Sequence, residues 1–157
     1  MLCQQHYSEK ILKNTNFAVG TTASVRKSCL TTKEMKTIEQ IDKIKATVLY
    51  VLEHMKNGVD YIHLFKVMYF AQQEHLVVYG SPIMEDSFLA RKHGPVPAFT
   101  YKALRALEGK VAVESDEMKS FTDALNVNIV DGHQIVTARQ SCDLDELSGS
   151  NIKILDK

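Results

Sequence analysis

No charge of one sign dominates this chain, its cysteines are few and scattered, and it has no long apolar run; each absence removes a class of function. Nineteen Lys and Arg residues balance nineteen Asp and Glu, so no global field concentrates nucleic acid or anionic membrane around it. Nucleic acid is set aside as the expected partner. The three cysteines, Cys3, Cys29 and Cys142, are an odd number spread far apart, which suits neither a secreted disulfide framework nor a C-x-x-C zinc or redox pair. They read as reduced thiols. Apolar runs such as Leu76 to Tyr79 are far too short to span a bilayer, and Glu9 and Lys10 interrupt any apolar signal core. A cytoplasmic protein without membrane contact is expected.

Catalytic signatures are missing as well. His54, His63, His75, His93 and His133 form no H-E-x-x-H or other close ligand spacing, so no metal is assigned. There is no G-x-S-x-G elbow, and the seven glycines are dispersed rather than gathered into a phosphate cradle. A nucleophile at Cys142 would need a histidine brought beside it in space, and no local signature marks one. Glu85 and Asp86 are adjacent, a placement that sends one inward and one outward rather than forming a carboxylate dyad. The sequence therefore assigns no catalytic residue, cofactor or metal, and the expected activity is binding rather than catalysis.

What is present is one domain's worth of chain. Its 157 residues can bury roughly 70% of the surface that the unfolded form exposes. Residues 1–35 are rich in Thr, Ser, Asn and Lys with apolar residues scattered singly, which predicts a loose arm. Met35 stands just before the first strongly periodic segment, a position that would also suit a translation start. Ile38, Ile41, Ile44, Val48, Leu52 and Met55 then mark an amphipathic helix over residues 36–56, closed by Asn57 and Gly58. Asp60 can cap the next helix, whose residues from Ile62 to Val78 leave little room for a polar face. That composition places it at the centre of a bundle.

Beyond Tyr79-Gly80-Ser81-Pro82, Gly94-Pro95 marks a loop, and Pro97 can sit in the first turn of a helix running to about Glu108. Lys110 to Glu114 alternates around Val111 and Val113, a short strand candidate. Ser115 or Asp116 can cap a helix toward Asn126, and Val127–Val130 and Gln134–Ala138 flank Asp131-Gly132, a tight hairpin turn. Ser148 caps a short terminal helix carrying Ile152 and Leu155. The fold expected is mainly α (α+β): a compact helical bundle around a buried central helix, with a small β-hairpin or short antiparallel sheet, over residues 36–157.

Two groups of side chains are candidate partner contacts. Lys66, Tyr69 and Gln73 share one face of the central helix with Gln72 beside them, and a buried polar seam is the competing reading for that face. Arg91, Lys92 and His93 precede Gly94-Pro95 and can offer donors to an acidic partner from a loop stiffened by the proline.

The order and spacing of Lys66-x-x-Tyr-x-Ala-Gln72, Gly80-x-Pro, Glu85-Asp86, Phe88-x-Ala90 and Gly94-Pro-Val-Pro97 resemble the Panacea domain, also called the SocA-like antitoxin or phage-associated protein family. The resemblance covers about residues 38 to 156. Arg91 stands where many members carry tryptophan, and the final helix is short. The resemblance implies a mostly helical domain with a small β element that binds and neutralises a protein toxin encoded nearby. One branch resembles a proteolytic adaptor delivering its toxin to a cytoplasmic protease. From a different class, a small hydrolase or nucleotide-acting enzyme of unrecognised type is the alternative, which a metal or cofactor ordered near Lys66, Glu85 and His93 would favour.

Overall fold

Helix starts are written locally in this chain. A computed structural model describes residues 36–157; the arm expected over 1–35, with Cys3 and Cys29, lies outside the described residues. Helix α1, Ile38–His54, opens on a reciprocal pair: Thr37 Oγ1 accepts from the Gln40 amide and Gln40 Oε1 accepts from the Thr37 amide. Two of the four orphan donors at the helix start are thereby satisfied. Ile41, Ile44, Val48 and Leu52 are buried as their period predicts, together with Leu49 and Val51. Ile38 stays exposed in the first turn.

Strand β1, Val59–Asp60, leads directly into α2, Tyr61–Tyr79, and Asp60 Oδ1 accepts from the Ile62 amide at 2.8 Å. Helix α2 packs against α1, β1 and elements that follow it in the chain. It buries Tyr61, Leu64, Phe65, Met68, Ala71, Gln72 and His75. Its apolar composition nevertheless does not mean burial all round, because Ile62, Phe70, Leu76, Val77 and Val78 are exposed.

The segment after α2 departs from expectation at three points. Gly94-Pro95 is not a loop but the start of strand β3, Gly94–Pro97, paired antiparallel with β2, Phe88–Arg91. In a two-stranded sheet each strand keeps a free edge, so a proline lacking its N–H costs no ladder bond there. Helix α3, Ala98–Leu107, then begins one residue after Pro97, which serves as its N-cap rather than its first turn. The strand proposed for Lys110–Glu114 does not form. Its alternation rests on Val111 and Val113 alone, and Val113 remains exposed instead of meeting a sheet edge.

Helix α4, Asp116–Asp123, is capped by Ser115, and the hairpin of β4, Leu125–Val130, and β5, His133–Ala138, turns at Asp131 and Gly132. Both turn residues have positive φ, 51° and 81°, the requirement of a type I′ turn. The sheet order is β1-β5-β4. A 3-10 turn at Leu144–Glu146 precedes α5, Gly149–Leu155, opened by a Ser148–Asn151 capping box. Helix outweighs strand among the described residues, so the fold is mainly helical α+β, as expected. Ile44, Val48, Leu64, Met68, Leu104, Phe121, Leu125 and Val136 form its centre.

The chain's C-terminal end is tied back to α1, where the Tyr50 hydroxyl donates to Asp156 Oδ1 at 2.5 Å. That bond, with burial and the Asp156 charge behind it, pushes the phenol up to about 12. Among the described residues no helix is long and apolar enough to cross a membrane.

Gly58 joins α1 to the sheet at a position no other residue fits. Its φ is +75°, and a Cβ there would lie 2.7 Å from Ile135 Cγ2, Thr137 Cγ2 and the Val136 carbonyl oxygen. A left-handed conformation costs a side chain-bearing residue roughly 1–2 kcal/mol, and overpacking adds about 1–3 kcal/mol. Gly58→Ala should therefore lower unfolding free energy in urea by at least about 2 kcal/mol. A change within about 0.5 kcal/mol, the range of an ordinary surface substitution, would mean that this junction yields.

Candidate functional site

The polar groups that sequence spacing places near one face of α2 divide into a buried set and a surface set. Gln72 lies inside, 7% exposed. Its Oε1 accepts from the Ile83 and Met84 amides at 3.0 and 3.3 Å, and its Nε2 donates to the Met84 carbonyl at 3.0 Å. A carboxamide carries the same donor and acceptor pair as a peptide unit, so Gln72 pairs with residues 83 and 84 much as a neighbouring strand would. Its amide is engaged beneath the surface and is not presented to a partner.

One turn further along, His75 is buried against α5. Its Nδ1 lies 2.6 Å from the Ser81 carbonyl, which can only accept, so Nδ1 carries the hydrogen. Nε2 is then the acceptor, facing Asn151 Nδ2 at 3.1 Å and the Ser150 hydroxyl at 3.2 Å. Asn151 uses its oxygen to accept from the Ser148 amide, so α5 and the end of α2 share one hydrogen-bonded chain.

Asp86 completes the buried set. Pro97 offers α3 no side-chain cap, and Asp86 supplies one from outside the helix: Oδ1 accepts from the Phe99 amide at 2.9 Å, and Oδ2 from the Thr100 amide and hydroxyl at 3.0 and 2.9 Å. A carboxylate at a helix N-terminus also meets the positive end of the helix dipole. Glu85 points the other way, exposed, and accepts from Gln40 Nε2. The inward and outward division of this acidic pair is the one that adjacency implies.

The surface set lies on α2 and on the β2–β3 turn. Lys66 is exposed and Tyr69 half-buried. The Tyr69 ring meets Phe88 of β2 edge-on, with centroids 5.4 Å apart, and Phe70 at 5.7 Å. Tyr69 thus joins the outer side of the helix to the hairpin. Arg91, Lys92 and His93 are exposed at the turn, with Gly94 and Pro95 half-buried behind them. The Arg91 guanidinium sits 5.7 Å from the centroid of Tyr101, which itself meets Phe65. Such a stacked cation limits the hairpin's freedom.

Between these groups runs a stripe that the sequence reading passed over. Ile62, Lys66, Phe70, Gln73 and Val77 recur at three- and four-residue spacing and all are exposed; Phe70 is 66% and Val77 75% exposed. The signal was available in principle. A helix with no polar face, in a chain too short to surround it, must show some apolar residues to water.

No group of three or more His, Cys, Asp or Glu that could hold a metal ion occurs among the described residues. The Cys142 thiol is pushed up to about 11 by burial and by the Glu53 and Asp143 carboxylates, and its Sγ donates to the Ala46 carbonyl at 3.2 Å. A thiol held in that form is a poor nucleophile.

A family model described as antitoxin SocA-like, Panacea domain, matches residues 64–157. The matched span takes in most of α2, both hairpins and α5. No curated protein and no solved structure matches the chain.

The two carboxylates at 85 and 86 separate the buried role from the surface one. Removing Asp86 strips the α3 cap and leaves buried donors unpaired, an expected loss of about 2–3 kcal/mol for Asp86→Ala in chemical denaturation. Glu85→Ala should stay within about 0.5 kcal/mol of wild type. Equal losses at the two positions would contradict the capping role.

Proposed function

The chain belongs to the SocA-like antitoxin, Panacea-domain family, and from that premise we propose that it is a cytoplasmic antitoxin that neutralises a protein toxin encoded by a neighbouring gene. It does so by direct binding, without a catalytic step. The observation that carries this reading is the outward face of α2. Large apolar side chains aligned along one exposed helix face are costly to leave in water, and exposed apolar surface rimmed by polar residues marks protein interaction sites. Ile62, Phe70 and Val77 supply the apolar centre of the contact, and Lys66 and Gln73 lie among them.

The β2–β3 turn supplies the charged side of the same contact, through the Tyr69–Phe88 junction. Arg91, Lys92 and His93 present cationic and donor groups there, and Gly94 and Pro95 set the backbone that carries them. The complementary toxin face is apolar at its centre with acidic groups at its rim. A hairpin anchored by Tyr69 and Tyr101 loses little entropy when the partner arrives. Gln72 contributes indirectly, by holding the segment from which the hairpin rises.

Co-expression with the neighbouring toxin tests the reading. Phe70→Glu with Val77→Glu, and separately Arg91→Glu with Lys92→Glu, should each weaken complex formation about tenfold or more, about 1.4 kcal/mol, and reduce protection of the cell. Thermal midpoints should stay nearly unchanged, because exposed substitutions usually shift stability by within about 0.5 kcal/mol. Full protection by both double variants, or protection with no physical complex, would overturn direct binding through this surface.

A further inference from the structure

The three-stranded sheet ends in an open edge. In the order β1-β5-β4, β4 has β5 on one side only. The Arg139 amide donates to the Ala124 carbonyl, and the register pairs Asn126 with Thr137, Asn128 with Ile135 and Val130 with His133. Because hydrogen-bonded and non-hydrogen-bonded pairs alternate in an antiparallel ladder, these even-numbered residues point their N–H and C=O groups at β5. The N–H and C=O groups of Val127 and Ile129 therefore point outward, and no backbone hydrogen bond reaches them among the described residues.

Edges of this kind are normally blunted by a lysine, a proline or a bulge. The β4 sequence, LNVNIV, has no charged residue and no proline, and its register with β5 runs without a bulge. Ile129 is 74% exposed and Val130 52%. We propose that β4 pairs antiparallel with β4 of a second copy of this chain, joining two sheets into one of six strands.

Self-complementarity points to a second copy. With Asn128 opposite Asn128 on the two-fold axis, Val127 of each copy falls opposite Ile129 of the other, and both contribute outward N–H and C=O groups to one hydrogen-bonded pair. Ile129 lies on the same face as Leu125 and Val127, which already pack on the core, so the pairing extends an apolar surface. The two Asn128 side chains meet at the closest approach of the strands, where one amide can donate to the other. No like charges oppose each other along the strand, and the balanced charge of the whole chain adds no long-range repulsion. One strand from each copy makes a small interface, so the dimer is weak and concentration-dependent.

Sedimentation equilibrium of the full chain, from micromolar to near-millimolar concentration, reads this directly. The average mass should climb from one chain toward two, and exchange of the Val127 and Ile129 amide hydrogens should slow over the same range. Ile129→Lys places a charge on the edge. Ile129→Pro deletes one outward N–H while leaving the β4–β5 ladder, built on even-numbered residues, intact. Both variants should remain single chains, and Ile129→Lys should melt as wild type does at low concentration. Wild type staying a single chain throughout overturns the proposal. So does Ile129→Lys dimerising like wild type, or a dimer lost only through Phe70→Glu and Val77→Glu. Those α2 variants bear on toxin binding, so failure of the edge pairing leaves that reading standing on its own test.

Discussion

The buried carboxylate of Asp86 at the start of α3 is the contact on which the rest of this arrangement depends. A charge taken out of water must recover its hydration inside the protein or it destabilises the fold. Asp86 recovers it from two backbone amides and one hydroxyl in the first turn of α3, and so fixes where that helix begins. The β2–β3 hairpin is the chain between Asp86 and α3, and its base is held at both ends by this one side chain. Upstream, Gln72 and His75 bind residues 81, 83 and 84 to α2. Helix, connecting segment, hairpin and following helix become one unit through three buried polar residues.

That unit explains how a small domain can hold an apolar face toward water. Helix α2 spends one side on the core, and its buried polar groups rigidify the connection that follows, while the opposite side keeps Phe70 and Val77 exposed. The loss of stability from leaving such residues uncovered is offset by the central cluster around Ile44, Leu64, Met68 and Phe121. A rigid apolar stripe beside a stiff cationic turn is what binding without folding requires, since little conformational freedom remains to be lost on contact.

Local signals in the sequence were readable because their causes are local. The Asp60, Ser115 and Ser148 caps and the Asp131-Gly132 turn each depend on a side chain or backbone angle within a few residues, and each appears where its pattern places it. The period of α1 was legible for the same reason. Where partners lie far along the chain, pattern was a poorer guide. Gly94-Pro95 carries loop chemistry yet forms a strand, because Ala90 and Arg91 are there to pair with it. Val111 and Val113 alternate like a strand yet find no edge. Lys66 and Gln72 are both polar residues of α2, yet one is exposed and the other is buried against residues 83 and 84. The roles of His75 and Asn151, remote in sequence, appear only when α5 is seen against α2.

The buried polar unit supports the surface on which, under the proposed function, the α2 stripe and the hairpin turn meet the toxin. Methyl NMR of the labelled protein during titration with the neighbouring toxin addresses it most directly. Shift changes are expected at the Ile62 and Val77 methyls on the stripe and at Leu89 in the hairpin, with the Ile44, Val48 and Val136 core methyls little affected. Perturbation centred instead on Ile129 and Val130 of β4, with Ile62 and Val77 unmoved, would contradict it.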